Sequence, residues 1–213
     1  MYKNGWKGKL YWAAEFITML AVLQLMWIGL TLLGGIVLGI APATVGLFSV
    51  MRKRLQGEDG LKTLTKLYWQ TYKKEWIQAN KIGVTLIIIG YFLVLNLRIL
   101  LAMPAGSNFI MLSIMTLVAI LYGVLCINIF QVFTHYELPF LRYFSTAILL
   151  SVSFPIQAIG SFLGVFVLYK LFAFIPGLLP FFGISVTVIF LTWMSSQVFK
   201  MKTEKEFPEG QQV

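Results

Sequence analysis

Five stretches of the chain stay apolar for about twenty residues or more, near positions 10–33, 82–103, 108–133, 145–172 and 180–199. A helix needs about 20 such residues to cross a hydrocarbon core about 30 Å thick. The alternating ten-residue strands of a membrane barrel are missing from the pattern. The expected fold is all-α, a multi-pass transmembrane bundle. The fourth stretch carries Pro155, where a kink is expected.

One stretch departs from this rhythm: "GIAPATVGLFSVMRKRLQGEDG", positions 39–60. Pro42 interrupts an apolar run just after Gly34 and Gly35 have loosened the end of the first helix. Proline suits the first turn of a helix, where its missing N–H costs nothing, so Pro42 is the candidate helix break and a short helix is expected over 42–56. Fifteen residues span only about 22 Å, which makes this a partial or re-entrant helix beside five long ones. It ends on Arg52, Lys53 and Arg54. Two routes remain open. Either 34–41 is an outer turn and 42–56 comes back, or 10–51 makes one kinked crossing that leaves Lys3, Lys7 and Lys9 outside. The positive-inside rule favours the first, which gathers every basic cluster on one side.

Residues 52–81 form the one substantial polar segment, with eight basic residues against three acidic ones. Within it Leu61, Leu64, Tyr68, Tyr72, Trp76 and Ala79 recur at steps of three or four and share a helical face. Lys62, Lys66 and Lys73 line the neighbouring face, and Asp59 is placed to cap the start. This amphipathic helix is expected to be cytoplasmic. It either lies in the headgroup layer or packs on the protein's own cytoplasmic face. Arg52, Lys53, Arg54, Lys62, Lys66, Lys73 and Trp76 are its candidate docking or lipid-contact residues.

Composition agrees: 59% of the 213 residues are hydrophobic and 12% charged, where soluble domains carry about 25% charged residues. Mean hydropathy is +0.83. The net charge of +9 sits between apolar segments, so its expected partners are anionic lipid headgroups rather than nucleic acid. The first apolar stretch is too long for a cleavable leader, and no small-residue site closes it. A single membrane domain, 1–213, is expected, in the cell membrane with both ends cytoplasmic and a polar tail over 200–213.

Catalytic constellations do not emerge. His135 is the only histidine, Cys126 the only cysteine, and the acidic residues are scattered. No Gly-x-x-x-x-Gly-Lys-Ser/Thr loop is present. No enzyme activity, metal or cofactor is expected. Ionisable groups inside membrane spans are costly and usually functional. Arg98 is the clear case, in "LVLNLRILLAMP". It either snorkels to the outer headgroups or, with Asn96, faces a polar cavity or a partner helix. Asn128 and Gln157 would continue such a path, although amides in spans also serve to bond helices together. Gly35-x-x-x-Gly39 and Gly160-x-x-x-Gly164 offer faces for close helix approach. The loop in "FTHYELPFLRYF" is either a docking loop or a tight helix connection.

The stretch "IAPATVGLFSVMRKRLQGEDG", followed by "LYWQTYKKEWIQANKIG" and later by "HYELPFLRYFSTAILLSV", resembles the YesL-like bacterial membrane family over about residues 23–198. Ala41 stands where that family more usually has glycine. The resemblance implies a multi-pass protein associated with ATP-driven carbohydrate uptake, whose partners would be permease subunits and a solute-binding protein. It implies an accessory or assembly subunit of an oligosaccharide importer, since the chain lacks both a nucleotide site and the Glu-Ala-Ala-x-x-x-Gly coupling loop. The rival readings are a stand-alone channel or secondary transporter through Arg98, Asn96, Asn128 and Gln157, and a lipid-sensing regulator.

Overall fold

The computed structural model describes residues 6–58, 60–103 and 109–206. The expected cap Asp59, the outer turn at 104–107, Lys3 and the end of the tail lie outside the described residues. Among the described residues eight α-helices follow one another: α1 (Trp6–Leu33), α2 (Val37–Leu55), α3 (Leu61–Lys74), α4 (Trp76–Ala102), α5 (Phe109–His135), α6 (Phe140–Ser153), α7 (Pro155–Phe174) and α8 (Leu179–Glu206). Five segments are long and apolar enough to span a bilayer: Gly8–Leu33, Trp76–Ala102, Phe109–His135, Pro155–Phe174 and Pro176–Gln197. The protein is an all-α, multi-pass membrane bundle.

The chain reverses at Gly35 and Ile36, six to seven residues before Pro42. Gly35 has φ +72° and Ile36 φ 65°, and the Val37 amide donates to the Gly35 carbonyl at 2.8 Å. That is the rare positive-φ γ-turn, a conformation a β-branched residue adopts only under constraint. α2 therefore starts at Val37, and Pro42 sits inside it, fully buried. Pro42 is not the helix break. Its missing N–H frees only the Leu38 carbonyl at the head of the helix, so the helix continues through it. Of the Gly35/Gly39 pair only Gly39 serves close helix approach. Gly35 makes the turn, while Gly39 lies against the backbone of Thr31 with no room for a Cβ.

The chain doubles back as the first route has it, but the expected outer turn lies against Trp76 at the start of α4, beside the basic segment 52–81 rather than opposite it. Trp27 Nε1 donates to Thr44 Oγ1 at 3.2 Å, and the Arg54 guanidinium stands over the Phe16 ring at 5.9 Å. These pairs straddle the turn symmetrically, so α1 and α2 are antiparallel neighbours. α3 then runs back along α2. Gly46 faces the Tyr68 ring, Tyr68 Oη donates to the Ala43 carbonyl at 2.8 Å, and Tyr72 Oη donates to the Leu30 carbonyl at 2.9 Å. The expected amphipathic helix over 61–79 ends at Lys74. Glu75 (φ −94°, ψ 6°) breaks it, and Trp76 and Ala79 belong to α4.

α4 and α5 form the next antiparallel pair, with Tyr122 Oη donating to the Leu86 carbonyl at 2.7 Å. α2 lies across the base of this pair. Leu38 lines a groove with Trp76 and Ile77 at the start of α4, while Arg52 donates to the Thr134 carbonyl at the end of α5. Those two α2 residues are about 21 Å apart at 1.5 Å per residue. One face of α2 (Leu47, Phe48, Val50, Met51) packs with α1, α3 and α8. Another (Ala41, Val45) packs with α4, α5 and α6. The helix expected to be a partial wedge is the joint between two cores.

The expected kink at Pro155 is a complete break at Phe154 (φ −128°, ψ 67°). It separates α6, a 14-residue helix, from the spanning α7. Gly160 meets Met194 and Gly164 meets Phe190, so that glycine pair does serve helix packing, between α7 and α8. α8 continues to Glu206, where a polar tail was expected from position 200.

Candidate functional site

The hydrogen bonds and exposure of the polar side chains sort the candidates. Asn128, on the inner half of α5, donates to the Val124 carbonyl at 3.0 Å and to Ser151 Oγ at 3.0 Å. Gln131 donates to the Ile127 carbonyl. With Gln157, Ser161 and Ser195 they line a cavity of about 20 Å³ where α5, α6, α7 and α8 converge, room for about one water molecule. The α6–α7 break lines the same cavity through Phe154. Asn128 and Gln157 thus line one cavity.

Arg98 and Asn96 do not join them. Arg98 is 12 residues beyond Leu86, about 18 Å toward the far end of α4, while Asn128 lies about 9 Å from Tyr122 in the other direction. Both Arg98 and Asn96 are exposed, and Asn96 donates to its own helix at the Phe92 carbonyl. The four residues do not form one path.

Of the basic candidates, Arg52 stands at the α4–α5 base. Arg52 is half-buried and reaches Thr134, beside His135. Lys53 is exposed. Arg54 lines a cavity of about 320 Å³ with Glu15, Tyr11, Thr18 and Leu61, between the start of α1 and the end of α2. On α3 the aromatic face is spent on the protein itself, since Leu64 and Tyr68 are fully buried. Lys62, Lys66 and Lys73 point outward, with Lys73 Nζ 4.5 Å from the Trp69 ring centre. Trp76 is half-buried, edge-on to Tyr72 at 5.2 Å. The loop before α6 is a tight connection. Tyr143 Oη donates to the Tyr136 carbonyl at 3.2 Å and accepts from the Leu138 amide at 3.0 Å.

Two further residues gain weight from the fold. Gln24 is buried, and its Oε1 accepts from the amides of Ile184 and Ser185 at 3.0 and 2.9 Å, joining α1 to α8. Lys170 is a charged residue inside the Pro155–Phe174 span, exposed, with Nζ 5.6 Å from the Phe166 ring centre. Its signal was available in the sequence, a lysine four residues before the end of an apolar run. Among the described residues no three His, Cys, Asp or Glu side chains gather as a metal site would require.

The sequence has relatives. Residues 20–97 match the family described as "Protein of unknown function, DUF624". The chain is 33% identical to YteU of Bacillus subtilis over 190 residues, covering 87% of this chain and 83% of that protein. It is 32% identical to YesV over 198 residues (92% and 94%) and 24% identical to YesL over 194 residues (91% of each), both from the same organism. All three carry the description "uncharacterized protein". The chain belongs to the YesL-like family. No solved structure matches it. The YesL-like match over 20–97 covers the second half of α1, all of α2 and α3 and most of α4, and so includes the helix that joins the two cores.

Proposed function

We propose that the chain is an accessory or assembly subunit of an ATP-driven oligosaccharide importer, working by protein–protein contact inside the bilayer. The family resemblance supplies the class of system. The observation that carries the contact role is the contrast between what the chain encloses and what it exposes. The polar cavity where α5, α6, α7 and α8 meet holds about 20 Å³, below the about 300–1,000 Å³ of small-molecule sites, while the spaces of about 320 and 550 Å³ lie at helix ends rather than along a path between them. Outside, the far halves of α4 and α5 are apolar and exposed, from Ile87 through Leu101 and from Phe109 through Leu121. Arg98 and Asn96 interrupt that surface.

A guanidinium at membrane depth costs about 2.5–3.5 kcal/mol unless it is paired or reaches the interface. We assign the permease contact to this α4–α5 arm, with an acceptor on the permease opposite Arg98. In this reading the basic base of the bundle faces the cytoplasm, following the positive-inside rule.

The test is purification of the tagged protein from its native host in gentle detergent, beside Arg98→Leu. The wild type is expected to bring permease subunits and a solute-binding protein at fixed ratio, and Arg98→Leu to lose them at unchanged protein level. A clean monomer or homo-oligomer from the wild type overturns the reading.

A further inference from the structure

A groove of about 550 Å³ opens on the outside of the bundle where α2, α4 and α6 begin. Leu38 and Phe140 form its walls, and Ile77 and Val84 its apolar floor. Asn80 and Lys81 are set between the floor residues. Among the described residues Lys81 is the one charged side chain lining it, and it is exposed. The nearest carboxylate in sequence, Glu75, is engaged by Lys74 at 3.5 Å. Asn80 commits its amide nitrogen to the Trp76 carbonyl at 2.9 Å, which leaves its oxygen as an acceptor.

Depth fixes what such a groove meets. From Lys81 to Ala102 α4 rises about 32 Å at 1.5 Å per residue, the thickness of a hydrocarbon core. Lys81 therefore stands at the headgroup boundary, with Val84 and the exposed Ile88 on the acyl side. A trough with a cation and an amide at headgroup level, apolar below and without a lining carboxylate, matches one molecule end to end.

We propose that this groove holds a single anionic glycerophospholipid, such as phosphatidylglycerol. Its phosphate lies at Lys81, its headgroup hydroxyl at Asn80, and one acyl chain runs along Val84 toward Ile88. This site is separate from the lysine face of α3 and does not depend on the importer reading.

Native mass spectrometry of the full chain, released from detergent with equal dioleoyl-phosphatidylglycerol and dioleoyl-phosphatidylethanolamine, tests it. One phosphatidylglycerol should be retained about fivefold over phosphatidylethanolamine, the preference expected of one lysine at the headgroups. Lys81→Gln should abolish the preference and Lys81→Arg should keep it. Val84→Trp, which fills the trough, should release both lipids. If that variant fails to fold, the Gln and Arg pair still decides.

Equal retention of the two lipids by the wild type overturns the proposal. So does loss of preference in a Lys62→Gln/Lys66→Gln control, which would mean diffuse surface charge. Displacement by excess inorganic phosphate would mean a free-anion site, and a two-chain mass that Val84→Trp splits would mean a second copy covers the groove. Either result also overturns it.

Discussion

α2 and α4 divide the work of the molecule in opposite ways. Ten of the nineteen residues of α2 are buried, while α4, with twenty-seven residues, buries only Ala79, Ile82 and Leu86. By hydropathy the order is reversed, because α4 is a full spanning segment and α2 ends in three charges. Hydropathy in a membrane protein measures compatibility with lipid and says little about which helix is inside. Without a hydrophobic drive between helices in lipid, small residues and close packing choose the interior. α2 carries them: Gly39 against Thr31, Ala41 against Gly83, and Gly46 against Tyr68.

That contrast can be broken most forcefully at Gly39. Any side chain there meets backbone, which cannot swing aside. Gly39→Val is expected to cost about 3 kcal/mol or more, seen as loss of the monodisperse peak in fluorescence-detected size exclusion.

Gln24→Leu comes next. It strips the acceptor from the Ile184 and Ser185 amides and should cost about 2 kcal/mol, measured as a lower melting temperature in detergent. Tyr68→Phe removes one buried hydroxyl bonded to Ala43, and about 1 kcal/mol is expected in the same assay. On α4, Ile99→Ala should shift stability by no more than about 0.5 kcal/mol, since Ile99 is 58% exposed. A large effect of Ile99→Ala on the isolated chain would erase the contrast. A small effect there, combined with loss of a co-purifying partner, would sharpen it.

What could be read in the sequence follows the same division. The five spans and the face of α3 were legible, because length of apolar run and a three-or-four spacing are local properties. The role of α2 was not, since it depends on Tyr68 and Ile129 arriving from other helices. Pro42 misled for a local reason. Proline marks helix starts, but here two left-handed residues, Gly35 and Ile36, had already turned the chain. Among the site candidates, Asn128 and Gln157 converge because α5, α6 and α7 do. Arg98 stands apart because its distance from them depends on the α4–α5 pairing register, which no single helix encodes.

The Gln24 bond to α8 also sets a schedule for biogenesis. Its two donors lie about 160 residues later in the chain, and ribosomes add roughly 5–20 residues per second. For roughly ten to thirty seconds after α1 emerges, its amide waits in a non-aqueous surrounding where an unmet polar group costs several kcal/mol. The last helix to leave the ribosome is the one that closes the first, so a nascent chain stalled before α8 keeps an exposed mark of its incompleteness for membrane quality control to read.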